Sequence, residues 1–214
     1  MGSLWLGTWV SFLAGLRLGV RRLAEGPGFP RSRSRPGPGA AWTDGESAPR
    51  PPNPAQPYVP TPAHVGWRML QLAQLKDNEA LLDLGCGDGR LLVEAARNFG
   101  AHATGFELNA ELAALARANV RAAGVEDLAK VVERDARQAG PELRAAAVVT
   151  LYLSERGNRE LLPLLARELP DGARVVSFSF PVGGCEPDAT ATVDGIRLFR
   201  YDAETVRAGA GTGT

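Results

Sequence analysis

The segment LLDLGCGDGR, Leu81 to Arg90, limits what this chain can fold into more than any other. An apolar run that ends in glycine reads as a buried strand. Gly85, Gly87 and Gly89 then make a turn, and RLLVEAARNFG opens a helix at Arg90 that Gly100 stops. Glycines in such a turn let backbone approach a ligand closely, and the helix N-terminus behind them offers free N–H groups.

The spacing G-x-G-x-G decides which glycine-rich loop this is. A dinucleotide fingerprint fails because Arg90 stands where its third glycine or alanine belongs, and no Gly-Lys-Ser/Thr follows as in a Walker loop. Asp83 precedes the turn and Asp88 lies inside it. Acids on both sides would repel a pyrophosphate and suit a cationic or zwitterionic ligand, with an ammonium and a sulfonium nearby. Glu107 in GFELN closes the next strand, placed to accept two ribose hydroxyls. Asp135 in ERDA closes the third, where a side-chain acceptor can meet an adenine amino group. Each acid alone reads as a strand-end cap or a solvated charge. Three at successive strand ends around one glycine loop form a constellation.

The rest of the chain from Thr61 alternates helix-period and strand-like segments. Val65, Met69, Leu72 and Leu75 mark one helical face of Pro62–Leu75. ATGFEL, KVVERD, AAAVVTLYL and RVVSFSFP read as further strands. Ala110–Ala123 and Asn158–Leu169 read as helices, and ATVDGIRLFRYD as a terminal hairpin turning at Asp194-Gly195. This order predicts an α/β fold with a doubly wound, mostly parallel sheet, helices on both faces and ligands at the carboxyl ends of the strands.

The first 57 residues are unlike the rest. Residues 3–20, SLWLGTWVSFLAGLRLGV, are apolar and followed by Arg21 and Arg22, so 1–24 reads as a targeting or membrane-anchor segment with membrane association through 3–20. Its uncharged run ends at Arg17, short of the roughly twenty residues a full span needs. Residues 25–57 have the Pro/Gly/Ser/Arg bias of a linker that cannot bury a core. The folded domain is expected over 58–203, with 204–214 as a flexible tail.

Charge and composition exclude several function classes. Residues 61–214 carry seventeen Lys and Arg against twenty-one Asp and Glu, net −4, which opposes a nucleic-acid partner. Two cysteines without a Cys-x-x-Cys and two histidines supply neither a disulfide scaffold nor a Cys- or His-based metal centre.

DLGCGDG, GFELN and ERDA together resemble the class I, seven-strand, S-adenosylmethionine-dependent methyltransferases. More narrowly, YVPTP (Tyr58–Pro62), LGCGDGRLLVEAA, GFELN and ELPDGARVVSFSFP resemble the mitochondrial protein-lysine methyltransferases of the ATP synthase c subunit and the adenine nucleotide translocase, with their bacterial relatives. The resemblance spans Tyr58 to Asp202 and implies a Rossmann-like seven-strand sheet with S-adenosyl-L-methionine as cofactor and no metal. It places the cofactor on Asp83, Gly85, Cys86, Gly87, Asp88, Gly89, Glu107, Leu108, Asn109, Asp135 and Ala136. On the acceptor side it implies Tyr58 and Thr61. Tyr152, at the end of the fourth strand, joins them as an aromatic wall that attracts an alkylammonium.

The implied reaction is methyl transfer to a lysine of a membrane protein, in a mitochondrion, with the domain on the matrix side of the inner membrane. A bacterial or plastid setting would leave the same catalytic domain. A small-molecule methyltransferase of this fold, and a non-catalytic S-adenosylmethionine-binding assembly factor, remain as alternatives. Thr150-Leu-Tyr-Leu-Ser154 replaces the Asp/Asn-Pro-Pro-Tyr/Phe of enzymes that methylate exocyclic amines and amides, and so argues against those substrates.

Overall fold

The structure, a computed structural model, describes residues 59–211. The expected leader (1–24), the linker (25–57) and Tyr58 lie outside the described residues, as do residues 212–214.

Seven strands form one sheet in the order β3-β2-β1-β4-β5-β7-β6. β1 (Ala80–Leu84), β2 (His102–Glu107), β3 (Ala129–Glu133), β4 (Val148–Leu151) and β5 (Arg174–Phe178) run parallel, as the alternation of strands and helices requires. β7 (Ile196–Asp202) pairs antiparallel with β5 and with β6 (Ala189–Val193), and the hairpin between them turns at Asp194 and Gly195. Both turn residues have positive φ, 52° and 78°, which suits the Asp-Gly pair read from the sequence.

Alternate residues of each strand feed opposite layers. Leu81, Val148, Val176 and Leu198 face a core completed by α1 (Ala63–Leu72) and α2 (Arg90–Glu94), while Leu82, Val149, Val175 and Phe199 face one completed by α5 (Glu155–Glu168) and α6 (Ala203–Gly211). These strand residues are at most 5 % exposed, which explains why the strands read as continuous apolar runs. A π-turn, Ala95–Phe99, continues α2 and ends at Gly100 with φ 67°. α3 (Ala110–Ala123) ends at Gly124 with φ 65°, the left-handed cap that glycine favours.

The element bounds depart from the sequence reading in three places. β4 stops at Leu151 and α5 starts at Glu155 rather than Asn158, because the Ser154 hydroxyl caps the Gly157 N–H at 3.2 Å. β3 stops at Glu133, and Asp135 instead caps a 3-10 turn, Ala136–Gln138, which leads into the short α4 (Gly140–Leu143). The third is a correction: residues 203–211 are helix α6, not tail. Ala203 and Val206 are fully buried, Arg207 Nη2 donates to the Leu169 carbonyl at 2.7 Å, and Thr205 donates to Asp188 at 3.0 Å. Docking supplies the helix propensity that Thr205, Val206, Gly209 and Gly211 withhold.

Candidate active site

The sheet reverses direction of growth between β2 and β4, which flank β1. Such a switch point leaves a crevice at the carboxyl ends of the strands. Here it is a cleft of about 440 Å³, lined from the loops after β1, β2, β3 and β4. That volume is in the range of small-molecule sites.

The glycine loop forms the floor. Gly85, Gly87 and Gly89 have φ of 90°, 55° and 77°. A Cβ built on Gly85 would lie 2.9 Å from Leu153 Cδ2, so a side chain there meets an unfavourable backbone conformation and has to push the Leu153 side chain aside. Gly89 is set behind the cleft, where its missing Cβ lets α2 approach Ala116 of α3. Gly85 and Cys86 both donate their N–H to the Phe106 carbonyl at 2.9 Å, fastening the loop to β2. Cys86 packs on Gly105, where an added Cβ would sit 2.6 Å from its sulfur. Burial, helped by Asp83 and Glu107, pushes the Cys86 thiol far up, so it stays protonated and serves as a small apolar wedge.

Four carboxylates surround the loop, and their surroundings differ. Asp83 is 6 % exposed and accepts from Thr150 Oγ1 at 2.7 Å, its cross-strand neighbour on β4. Burial pushes its carboxyl up to about 7 although the Thr150 bond opposes this; Glu107 and Asp88 add to the rise. Glu107 accepts from the Gly87 N–H at 2.9 Å on one oxygen and from the Asn109 N–H at 2.8 Å on the other. Backbone thus fixes its carboxylate while each oxygen keeps accepting capacity. Asp88 and Asp135 are instead gripped by arginines. Arg90 Nε and Nη2 reach Asp88 at 3.0 and 2.6 Å, and Arg137 does the same to Asp135 at 3.0 and 2.5 Å. Hydrogen bonds from Arg137 hold the Asp135 carboxyl below its ordinary value.

At the other end stand Tyr152 and Thr61. Tyr152 is half-buried, its ring 4.5 Å from that of Phe178, and burial pushes its phenol up. The Thr61 carbonyl accepts from Arg90 Nη1 at 3.1 Å, so one guanidinium ties the glycine loop to the segment before α1.

Residues 83–189, half the chain, match the family described as the ANTKMT methyltransferase domain. The chain belongs to this family.

It is 39 % identical over 142 residues to a protein-lysine N-methyltransferase of Saccharolobus islandicus (strain REY15A), covering 66 % of this chain and 87 % of that one. It is 33 % identical over 154 residues to the adenine nucleotide translocase lysine N-methyltransferase of Mus musculus, covering 68 % of this chain and 62 % of the mouse protein. The chain therefore spans less than two thirds of the mouse protein. Among solved structures it resembles an RNA methyltransferase from Salinibacter ruber in complex with S-adenosyl-L-homocysteine, at TM-score 0.65 and 41 % identity over 68 % of this chain and 94 % of that one. This member of the ANTKMT methyltransferase domain family is an S-adenosylmethionine-dependent methyltransferase with a Rossmann-like seven-strand sheet.

The cleft fits that cofactor. Its floor is glycine backbone of positive φ, Asp83 and Glu107 line it with no arginine on them among the described residues, and Leu108 beside it is 69 % exposed, an apolar face for a planar base. Among the residues expected from sequence, Thr61, Asp83, Gly85, Cys86, Gly87, Asp88, Glu107, Leu108, Asn109, Asp135, Ala136 and Tyr152 line the cleft, and Gly89 does not. Asn109 uses its side chain as the α3 cap, accepting from Glu111 and Leu112 N–H groups at 2.9 and 3.2 Å.

Sequence reasoning missed Thr150, Leu153, Arg90 and Arg137. The two arginines carried a signal: Asp88-Gly-Arg90 and Asp135-Ala-Arg137 share the pattern Asp-x-Arg at a turn, which folds the guanidinium back onto the acid. Thr150 and Leu153 carried none, because strand order has to be known first.

Proposed function

We propose that this methyltransferase acts on the ε-amine of a lysine in a protein, and that the protein lies in a membrane. The observation that carries the reading is the cleft's polarity. Asp83 and Glu107, which have no arginine partner among the described residues, face a site closed by the Tyr152 ring. Such a site suits cationic groups at both ends. The lysine substrates in the names of the Saccharolobus and mouse relatives support it. The mouse enzyme's translocase target and the apolar, arginine-flanked leader support a membrane protein as acceptor, at a mitochondrial inner membrane with the domain on the matrix side or at a bacterial membrane.

The residues divide the work as follows. Gly85 and Gly87 bring backbone against the cofactor, and Glu107 accepts from its ribose hydroxyls while Gly87 and Asn109 hold the carboxylate in place. Asp83, partly protonated at neutral pH because burial raises its carboxyl to about 7, ionises when a cationic group binds beside the loop. Leu108 and Ala136 flank the base, with Asp135 beside it. Asp88, held by Arg90, keeps the loop's shape and through Arg90 positions Thr61. When bound, S-adenosylmethionine supplies an electrophilic methyl group for in-line displacement by a neutral amine. Tyr152 keeps its proton at neutral pH, so it orients the amine through its ring and hydroxyl, and the lysine proton leaves to water.

RNA is a poorer acceptor for this surface despite the Salinibacter protein's description. The folded region has net charge −4, and Arg90, Arg134 and Arg137 in the cleft lining each already face a carboxylate, as do Arg156 and Arg159 on α5. Phosphate binding would have to break those pairs.

The test incubates the full chain and radiolabelled S-adenosylmethionine with detergent-solubilised membrane proteins, total RNA or a metabolite extract. Label recovered as methyl-lysine after protein hydrolysis is the expected result. Label confined to RNA or to small molecules would overturn the assignment.

A further inference from the structure

β5 ends at Phe178, and the residue after it, Ser179, has φ 69°. A non-glycine residue in the left-handed region is strained and persists only where its surroundings over-determine it. They do so here. The Ser179 N–H donates to the Arg197 carbonyl at 2.9 Å, and the Phe180 N–H to the Phe178 carbonyl at 2.8 Å. The Ser177 hydroxyl donates to the Phe180 carbonyl at 2.5 Å. Asn158, wholly buried on α5, turns its amide NH₂ toward Ser177 Oγ at 3.1 Å and the carbonyls of Phe180 and Pro181 at 3.0 and 3.3 Å. A buried amide on one element thus fixes a strained turn on another.

What the turn presents is a phenyl ring. Phe180 is 38 % exposed, one of the few large apolar side chains so placed among the described residues. Residues Val175 to Cys185 carry no charge, so the turn itself sets no ionic group beside the ring. β5 lies beside β4, about 4.8 Å away, and the Phe178 ring rests on Tyr152, which walls the acceptor end of the cleft. Phe180 itself is not part of the cleft lining; it stands outside, one strand over.

We infer that Phe180 is an acceptor-specificity residue, which receives an apolar side chain next to the target lysine, and that Asn158 is the residue that positions it. The inference rests on the protein-lysine reading and adds the kind of sequence the enzyme selects: a lysine set among apolar residues, with its neighbour packed on the Phe180 ring. Removing the ring should weaken acceptor binding without touching the cofactor. Asn158 acts only through the turn, so its loss should show the same pattern.

The experiment uses the full chain and two synthetic lysine peptides of equal length, one flanked by Leu, Phe and Ala, the other by Ser and Gln. Cofactor Kd, Tm and the kcat and KM for each peptide are measured for the parent, Phe180→Ala and Asn158→Asp. The parent is expected to prefer the apolar peptide about tenfold or more in kcat/KM. Phe180→Ala should raise KM for that peptide at least about fivefold, with kcat, cofactor Kd and Tm close to the parent's. Asn158→Asp keeps the side chain's size but loses its NH₂ donors, and should raise the same KM; if it does not fold, Phe180→Ala decides alone. Equal use of both peptides by the parent, or a preference that survives Phe180→Ala, overturns the inference and leaves the lysine reading standing. Methylation of neither peptide by a chain that binds cofactor removes both.

Discussion

Burial leaves the Asp83 carboxyl partly protonated at neutral pH, and we propose that a cationic cofactor displaces that proton. The unfolded carboxyl titrates near 3.8 and the folded one near 7, raised chiefly by burial. Between those values the folded chain holds a proton that the unfolded chain has released. Stability without cofactor therefore falls as pH rises from about 4 to about 7 and levels off above. A ligand with a sulfonium and an ammonium prefers the carboxylate, so binding expels the proton. The affinity for S-adenosylmethionine is expected to rise about tenfold between pH 6 and 8. Calorimetry at pH 6.5 in two buffers of different protonation enthalpy should register the released proton, and Asp83→Asn should lose the pH dependence. An affinity independent of pH in the parent would contradict this reading of the loop. The residues behind it were unequally legible. Gly85, Gly87 and Glu107 declare themselves because their roles depend on neighbours in sequence. Thr150 and Leu153 act across strands, and their part shows only once β4 is known to lie beside β1. Asp88 and Asp135 were legible as acids but not as partners of Arg90 and Arg137, which cancel much of their charge.

At the scale of elements, helices with caps and strands with apolar runs could be read off, and marginal pieces could not. Gly100, Gly124 and the Asp194-Gly195 turn stand where the chain needs positive φ, and each marked a boundary correctly. The start of α5 was misplaced because the Ser154 cap was read as part of the β4 exit. α6 was missed altogether, since AETVRAGAG has weak propensity and its helix depends on docking against α5 through Ala203 and Val206. That dependence is testable. Val206 is fully buried, so Val206→Ala should cost about 2 kcal/mol and lower Tm by about 4–8 °C in thermal unfolding followed by circular dichroism. An unchanged Tm would mean that α6 adds nothing to the folded domain.

Over the whole molecule, the sheet order makes the site. Five parallel strands bring the carboxyl ends of β1, β2, β3 and β4 to one rim, and the switch at β1 opens the cleft between them. The antiparallel β6–β7 hairpin extends the sheet past β5 and, through the Arg197 carbonyl, supports the turn that carries Phe180. The glycine loop, Glu107 and Tyr152 come from the ends of three different strands, so only the assembled sheet brings them to one cleft. We propose that Glu107, fixed by two backbone N–H groups, holds the cofactor at the end of β2. The most direct measurement is a calorimetric titration of the full chain with S-adenosylmethionine beside Glu107→Ala. Micromolar binding is expected in the parent, and at least tenfold weaker binding, about 1.4 kcal/mol, in a variant of unchanged Tm. A well-folded parent that does not bind, or a variant that binds as tightly as the parent, would contradict it.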